Sequence, residues 1–267
     1  MKNDTKKILT TNLSDLIGKY EKSDVLAELE REYLSLPIRQ ISLQEITTNK
    51  YLKNVRYSDK KIRKLIDSYG ESLFIEPLVC RLVDEKYEII IGHEKFLAAK
   101  VLNIQQMKVT ITNYNDEETL LILLALARKQ EQKNIVEFAV LFRALAKEFN
   151  YTQQNIARLS YLSRPQVTNI MRLLKLPSDV LKLVQEEKIS YGHARALINY
   201  PSEKVKELAK LIAKEKLTVR EVEKMFAKEQ DTEQSPKIVQ TGRKVTVFFN
   251  DEEEAKAFAA KIKKDND

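Results

Sequence analysis

Thr152-Gln153-Gln154-Asn155-Ile156-Ala157-Arg158-Leu159-Ser160-Tyr161-Leu162-Ser163-Arg164-Pro165-Gln166-Val167-Thr168-Asn169-Ile170-Met171-Arg172 contains two short helical patterns on either side of a turn. Thr152 can cap the first helix, because its hydroxyl can accept from the unpaired N–H groups of the opening turn. Ala157 is small at a point where two such helices cross closely, and Ile156, Leu162, Val167 and Ile170 supply a shared apolar core. Ser163 can cap the second helix, and Pro165 falls in its first turn, where a missing N–H breaks no bond. The spacing predicts a helix-turn-helix. Tyr161 departs from it: the turn position favours glycine because φ tends to be positive there, which implies strain or a different turn. A helical hairpin used only for packing is the plainer alternative.

The exposed side chains of this unit suit nucleic acid. Arg164, Gln166, Thr168 and Asn169 lie on or near the exposed N-terminal part of the second helix and are types that reach base edges and phosphates. Thr152, Gln153, Ser163 and Pro165 at the two helix starts, with Arg172 and Lys175 downstream, complete the candidate DNA surface. Between Phe149 and Ser178 there are four basic residues, Arg158, Arg164, Arg172 and Lys175, and no Asp or Glu. A surface that faces phosphate must avoid like charge, and this window does.

Composition agrees. The 267-residue chain is 43% hydrophobic and 32% charged, a globular balance, and its length predicts two or three compact units. With no Trp and only 5 Gly, helix should dominate. The formal charge of +7 points to a polyanionic partner, nucleic acid ahead of an anionic membrane. No apolar run approaches the roughly 18 residues of a membrane span, and Met1-Lys2-Asn3-Asp4 opens no signal peptide, so a cytosolic protein is expected. Cys80 is the only cysteine; it lies in the apolar run Pro77-Leu78-Val79-Cys80 and reads as a core residue rather than a reactive thiol.

The fold class expected is α+β and predominantly α-helical. Residues 1–35 read as a basic arm followed by a surface helix with Leu26, Leu29 and Tyr33 at helical spacing. Residues 36–115 alternate short strands and helices, including the strand Tyr87–Gly92 and a helix over Lys95–Leu102, and form a small α+β unit. Residues 116–230 are helical, broken at Pro165, Pro177 and Pro201. Residues 231–242 read as a linker, and 243–267 as a strand, Arg243–Phe249, then a helix capped by Asn250. That last piece is too small to bury a core alone, so it should pair with a second copy of itself.

Three ordered motifs, Leu173-Leu174-Lys175-Leu176-Pro177, Lys188-Ile189-Ser190-Tyr191-Gly192-His193-Ala194-Arg195-Ala196-Leu197 and Leu217-Thr218-Val219-Arg220-Glu221-Val222-Glu223, closely resemble the ParB family of partition proteins with its Noc relatives. The resemblance spans roughly residues 36–226 and continues more weakly over 242–258. It implies an N-terminal ParB domain, a central helix-turn-helix domain and a homodimer, joined through the C-terminal module, that recognises a palindromic, centromere-like site in double-stranded DNA. By matched position it gives Gly192, His193 and Arg195 a role in a second layer of DNA contacts; from the residues alone, His193 equally reads as a helix-packing histidine.

The resemblance also implies a CTP and magnesium site, built in the family on a Gly-Glu-Arg-Arg-x-Arg-Ala loop. The matching stretch is Gly92-His93-Glu94-Lys95-Phe96-Leu97-Ala98, which lacks the arginines. The family's Asn-Pro-Tyr-Gln-Pro-Arg element falls on Asn49-Lys50-Tyr51-Leu52-Lys53-Asn54, and its Glu-Asn-x-Gln-Arg on Leu126-Ala127-Arg128-Lys129-Gln130. A triphosphate needs cations and backbone donors, so these substitutions predict weak or absent CTP binding and no hydrolysis. Gly92, Lys95, Arg128 and Lys129 are the residues left to meet phosphate. No metal site and no catalytic residue is expected, since His93 and His193 lack ligand-like neighbours.

A ParA-type ATPase or an SMC condensin is the implied protein partner, and the basic arm with Lys2, Lys6 and Lys7 is the ATPase-contacting segment by family position. The protein is expected in the cytoplasm on the nucleoid. A ParB-derived transcriptional regulator is the rival reading, and a CTP-gated DNA clamp follows if the altered pocket still binds nucleotide. A nuclease is disfavoured because no His or carboxylate cluster is visible.

Overall fold

A computed structural model describes residues 13–22, 24–57, 59–71, 76–130, 134–225, 237–249 and 252–264. The chain divides into two compact units, residues 1–209 and 210–267. The arm with Lys2, Lys6 and Lys7 lies outside the described residues, as does Asn250.

The larger unit opens with helices α1 (Leu13–Glu21) and α2 (Val25–Leu34). The sequence suggests one surface helix here, but Leu16, Ile17, Tyr20, Val25 and Leu29 are buried against the main helical core. Apolar residues three and four apart form one stripe on each helix, and both stripes face α5 (Asp116–Lys129).

Five strands follow: β1 (Ile38–Ser42), β2 (Ile46–Thr47), β3 (Leu78–Val83), β4 (Lys86–Ile91) and β5 (Gln106–Thr112). They form one mixed sheet in the order β1-β5-β3-β4-β2. β1 runs antiparallel to β5, β3 parallel to β5 and antiparallel to β4, and β2 parallel to β4. Helices α3 (Asp59–Glu71) and α4 (His93–Val101) accompany the sheet. A small core of Ile41, Leu78, Cys80, Ile89, Phe96 and Val109 lies between strands and α4. Cys80 is fully buried, and burial pushes its thiol up to about 12, which keeps it an unreactive packing residue.

The remaining helices of this unit are α5, α6 (Ile135–Glu148), α7 (Gln153–Ser160), α8 (Arg164–Arg172), α9 (Ser178–Gln185), α10 (Tyr191–Leu197) and α11 (Ser202–Glu215), the last crossing the unit boundary. Helix α5 is apolar nearly all round, and Leu120 to Ala125 are all buried, so it forms the centre of the unit. Its start is set by a capping box in which Asn115 and Glu118 exchange side-chain bonds. Phe138 and Phe142 of α6 pack edge-on at 5.5 Å beside it. Each of these fully buried rings contributes roughly 2–3 kcal/mol.

In the smaller unit helix α12, over residues 219–225, is capped by Thr218, whose hydroxyl accepts from the Glu221 N–H. Strands β6 (Lys237–Thr241) and β7 (Lys244–Phe248) form an antiparallel hairpin, and α13 (Glu252–Lys264) follows. Residues 237–241, read from composition as the end of a linker, are therefore half of a hairpin, and Gly242 at φ 63° makes the turn. Val245, Phe248 and Phe258 remain exposed.

Candidate nucleic-acid interface

The two short helices are set by local bonds. Thr152 accepts from the Asn155 N–H at 3.1 Å, and the Asn155 side-chain oxygen accepts from the Thr152 N–H at 3.0 Å. Ser163 and Gln166 repeat the arrangement at the start of α8, with the Ser163 N–H donating to Gln166 Oε1 at 2.8 Å. Ile156, Ala157, Val167 and Ile170 are buried between the helices, as their spacing predicts. The turn residue Tyr161 adopts φ 57°, ψ 36°, the left-handed conformation expected there for glycine.

The cost of that conformation, about 1 kcal/mol for a residue with a Cβ, is offset by what the Tyr161 side chain touches. Its hydroxyl donates to the Glu21 carbonyl at the end of α1, and Arg128 stacks on its ring at 4.1 Å. Arg128 also donates to the carbonyls of Leu159 (2.8 Å), Lys22 (3.1 Å) and Tyr20 (3.3 Å). Arg158 adds an ion pair to Glu21 at 2.6 Å. Helix α1 is thus riveted to the back of the turn.

Thr152, Ser163, Arg164, Pro165, Gln166, Arg172 and Lys175 are exposed, while Gln153, Thr168 and Asn169 are half-buried. Two of the candidate base readers are already bonded. Thr168 donates toward Gln153 Oε1 at 2.9 Å, and Gln166 uses its carbonyl oxygen on the Ser163 cap. Among the described residues Arg164 and Asn169 keep their full side-chain donor sets, and Gln166 keeps its amide N–H groups. Arg172 donates to Asn199 Oδ1 at 3.4 Å, which ties the end of α8 to the segment after α10.

On α10, Gly192 and His193 are half-buried and Arg195 is exposed. His193 is the third residue of a capping box: its N–H donates to Ser190 Oγ, and its Nδ1 accepts from the Ser190 N–H at 3.1 Å. The ring is therefore a helix-start group, and Arg195 is the outward cation of the motif.

The residues expected to meet a nucleotide are dispersed in their bonding. Gly92 starts α4 at φ 101°, and a Cβ there would stand 2.5 Å from Leu78 Cδ2, so packing and conformation both require glycine. Lys95 pairs with Glu76 at 2.6 Å, Arg128 serves the carbonyls above, and Lys129 is exposed. His93, where the resembling loop has glutamate, is buried beside Tyr57; desolvation lowers its pKa to about 4, and its Nε2 accepts from the Asn49 N–H.

A buried charge network escaped the sequence reading. Arg81 on β3 bonds Glu88 on β4 and Asp116 at the start of α5, and Lys50 reaches the same Asp116 at 2.6 Å. Glu88 also accepts from the Lys50 N–H at 2.8 Å. Arg81 and Glu88 are each 5% exposed. The signal available in the sequence was two opposite charges inside otherwise apolar strands, paired across β3 and β4. Among the described residues no group of three or more His, Cys, Asp or Glu side chains is placed to hold a metal, and no helix is long and apolar enough to cross a membrane.

A small mixed sheet followed by a capped helix-turn-helix within a helical body defines a class of two-part helix-turn-helix proteins. Residues 28–126 match the ParB N-terminal domain and residues 131–231 the ParB HTH domain. The chain belongs to the ParB family. It is 33% identical over 193 residues to the nucleoid occlusion protein of Bacillus cereus strain AH187, covering 72% of this chain and 67% of that one. It is 31% identical over 189 residues to a probable chromosome-partitioning protein ParB of Coxiella burnetii, covering 71% and 65%. The C-terminally truncated ParB of Caulobacter crescentus, solved with the centromeric parS site, is 25% identical with a TM-score of 0.41, covering 71% of this chain and 99% of that one.

Proposed function

We propose that this protein binds double-stranded DNA sequence-specifically, as a homodimer on a palindromic site, in chromosome or plasmid partition or nucleoid organisation. The observation that carries the reading is the second helix of the motif. Its cap, proline and apolar face are used internally, which leaves Arg164, Gln166 and Asn169 outward in a stretch with no acidic residue. The names of its relatives, nucleoid occlusion and chromosome partitioning, point the same way.

Dimerisation through the C-terminal module is supported by the exposed Val245, Phe248 and Phe258, apolar side chains on a hairpin and helix too small to bury them alone. A two-fold protein reads a palindrome because each subunit takes one half-site. The protein acts in the cytoplasm on the nucleoid, and a ParA-type ATPase or SMC condensin is the protein partner to seek.

Binding of CTP is weak or absent and no hydrolysis follows, so the chain is not an enzyme on this reading. Its support is the loss of the loop arginines, the pairing of Lys95 with Glu76 and the use of Arg128 on backbone carbonyls. Calorimetry with CTP and magnesium tests it, and micromolar binding would refute it.

Crosslinking in its own cells, immunoprecipitation and sequencing of the bound DNA is the deciding experiment for the main reading. Narrow peaks on an inverted repeat near an origin or partition locus are expected. Peaks confined to promoters would make the protein a regulator, and broad shoulders around each site would revive a nucleotide-gated clamp. Absence of enrichment would end specific recognition.

A further inference from the structure

Helix α1 ends at Glu21, and the last carbonyls of a helix have no partner within it. Here α5 and the helix-turn-helix supply the partners. Arg128 donates to the carbonyls of Tyr20 and Lys22, and the Tyr161 hydroxyl donates to that of Glu21. The Glu21 carboxylate takes the fork of Arg158, from Nε at 3.1 Å and from one Nη at 2.6 Å. Two cations at the C-terminal end of α1 also suit its dipole. Arg158 is thereby held by α1, although it is one of the four basic residues of the stretch that has no acid. A turn that needed only a left-handed backbone would carry glycine, which has no Cβ to strain it. Tyrosine stands there instead, with its hydroxyl on α1. Stability does not account for the ion pair, because its side chains are 52% and 33% exposed and pairs so exposed contribute little.

We propose that Glu21 is a positioning residue for DNA recognition, which acts through Arg158 and Tyr161 to fix the angle at which α8 presents Arg164, Gln166 and Asn169. The inference rests on the reading of this motif as a DNA-binding unit, and it adds to that unit a helix that stands 140 residues upstream of the turn. The path is short. Arg158 lies on α7, Tyr161 ends that helix, Ser163 caps the next, and α8 begins at Arg164. A shift of Tyr161 therefore reaches the start of α8 through two residues. Groups that read a ligand must be held to within about 0.5 Å, whereas phosphate contacts carry no sequence information. Loss of Glu21 should therefore fall on discrimination between sequences and leave affinity for random duplex nearly unchanged.

Fluorescence anisotropy of the full chain tests this, on the inverted-repeat duplex recovered from its own cells and on a scrambled duplex of equal length. Glu21→Ala should lower the ratio of specific to scrambled affinity about tenfold, at a nearly unchanged melting temperature. The double variant E21R/R158E keeps the net charge and restores an ion pair of reversed polarity, so it should recover most of the ratio. Tyr161→Gly suits the backbone but removes the tether, and should lose the ratio as Glu21→Ala does. Three outcomes overturn the proposal. An unchanged ratio in both Glu21→Ala and Tyr161→Gly would leave the contact a structural one. Failure of the reversed pair to recover the ratio would show that the Glu21 to Arg158 geometry is not its source. Affinity for both duplexes rising together in Glu21→Ala, with a salt dependence steeper by about one, would make the freed Arg158 a phosphate contact. If the unaltered chain distinguishes no duplex, the DNA-binding reading itself fails and takes this inference with it.

Discussion

The guanidinium of Arg128, at the end of α5, lies 4.1 Å over the ring of Tyr161, the turn residue between α7 and α8. The same guanidinium bonds carbonyls at the ends of α1 and α7, so one side chain joins three helices to the turn that presents α8. Arg128 is therefore a positioning residue of the DNA-binding unit. Arg128→Ala should lower stability by about 1–3 kcal/mol, because it removes a stacked cation and leaves two partly buried carbonyls without a donor. Arg128→Lys should recover little, since an ammonium has no planar fork. Tyr161→Phe keeps the ring and should lose only about 1 kcal/mol. Urea unfolding measures all three, and an Arg128→Ala loss under about 1 kcal/mol would refute the joint.

The Arg81 and Glu88 pair should behave differently from its exposed neighbour. Glu88→Ala leaves a buried guanidinium short of a partner and should cost about 3–5 kcal/mol. Lys50→Ala breaks an ion pair whose partners are 48% and 40% exposed, and should cost under about 1 kcal/mol. Thermal or urea denaturation of the two variants side by side decides it; equal losses would mean the buried pair is not integral to the sheet.

Acid should weaken the fold through His93. Its folded pKa, lowered to about 4 by burial, lies below the ordinary value of 6.5, so the unfolded chain binds the extra proton first. The groups facing it are the Asn49 N–H and the Tyr57 ring, neither of which favours the imidazolium. Its stabilising contribution is complete above the unfolded pKa and is lost as pH falls from 6.5 toward about 4. The urea midpoint should drop between about pH 7.5 and pH 5, and His93→Gln should flatten that drop. An identical pH slope in the variant would exclude His93 as its origin.

On DNA, Arg164→Ala should weaken the specific site by about 1–3 kcal/mol relative to random duplex, whereas Arg172→Ala should weaken both alike. Fluorescence anisotropy on matched and scrambled duplexes separates the two. A uniform loss for Arg164→Ala would reassign it to phosphate.

A chain ended before Lys237 loses the hairpin and α13, and should sediment as a monomer with palindrome binding reduced through lost avidity. A dimer that persists after truncation would place the two-fold contact elsewhere.

What could be read from the sequence follows from the range of the interactions involved. The caps at Thr152, Ser163 and Ser190 join residues three apart, and the buried Ile156, Val167 and Ile170 follow helical spacing, so each declares itself locally. The positive φ of Tyr161 was legible for the same reason, as a backbone requirement of the turn. The hairpin strand at 237–241 was missed because Pro236 and Gly242 flank it in a polar stretch, and its partner strand alone marks it as one.

By itself, then, the sequence determined the helix-turn-helix, the α+β division and the basic face of α8, because propensity, capping and periodicity act over a few residues. Only the tertiary structure decided that Arg128 holds the carbonyls of Tyr20 and Leu159 and that Arg81 meets Asp116. Arg128 and Arg81 stand 31 to 108 residues from these partners in the chain, and their electrostatic roles exist only where packing brings the opposite groups together.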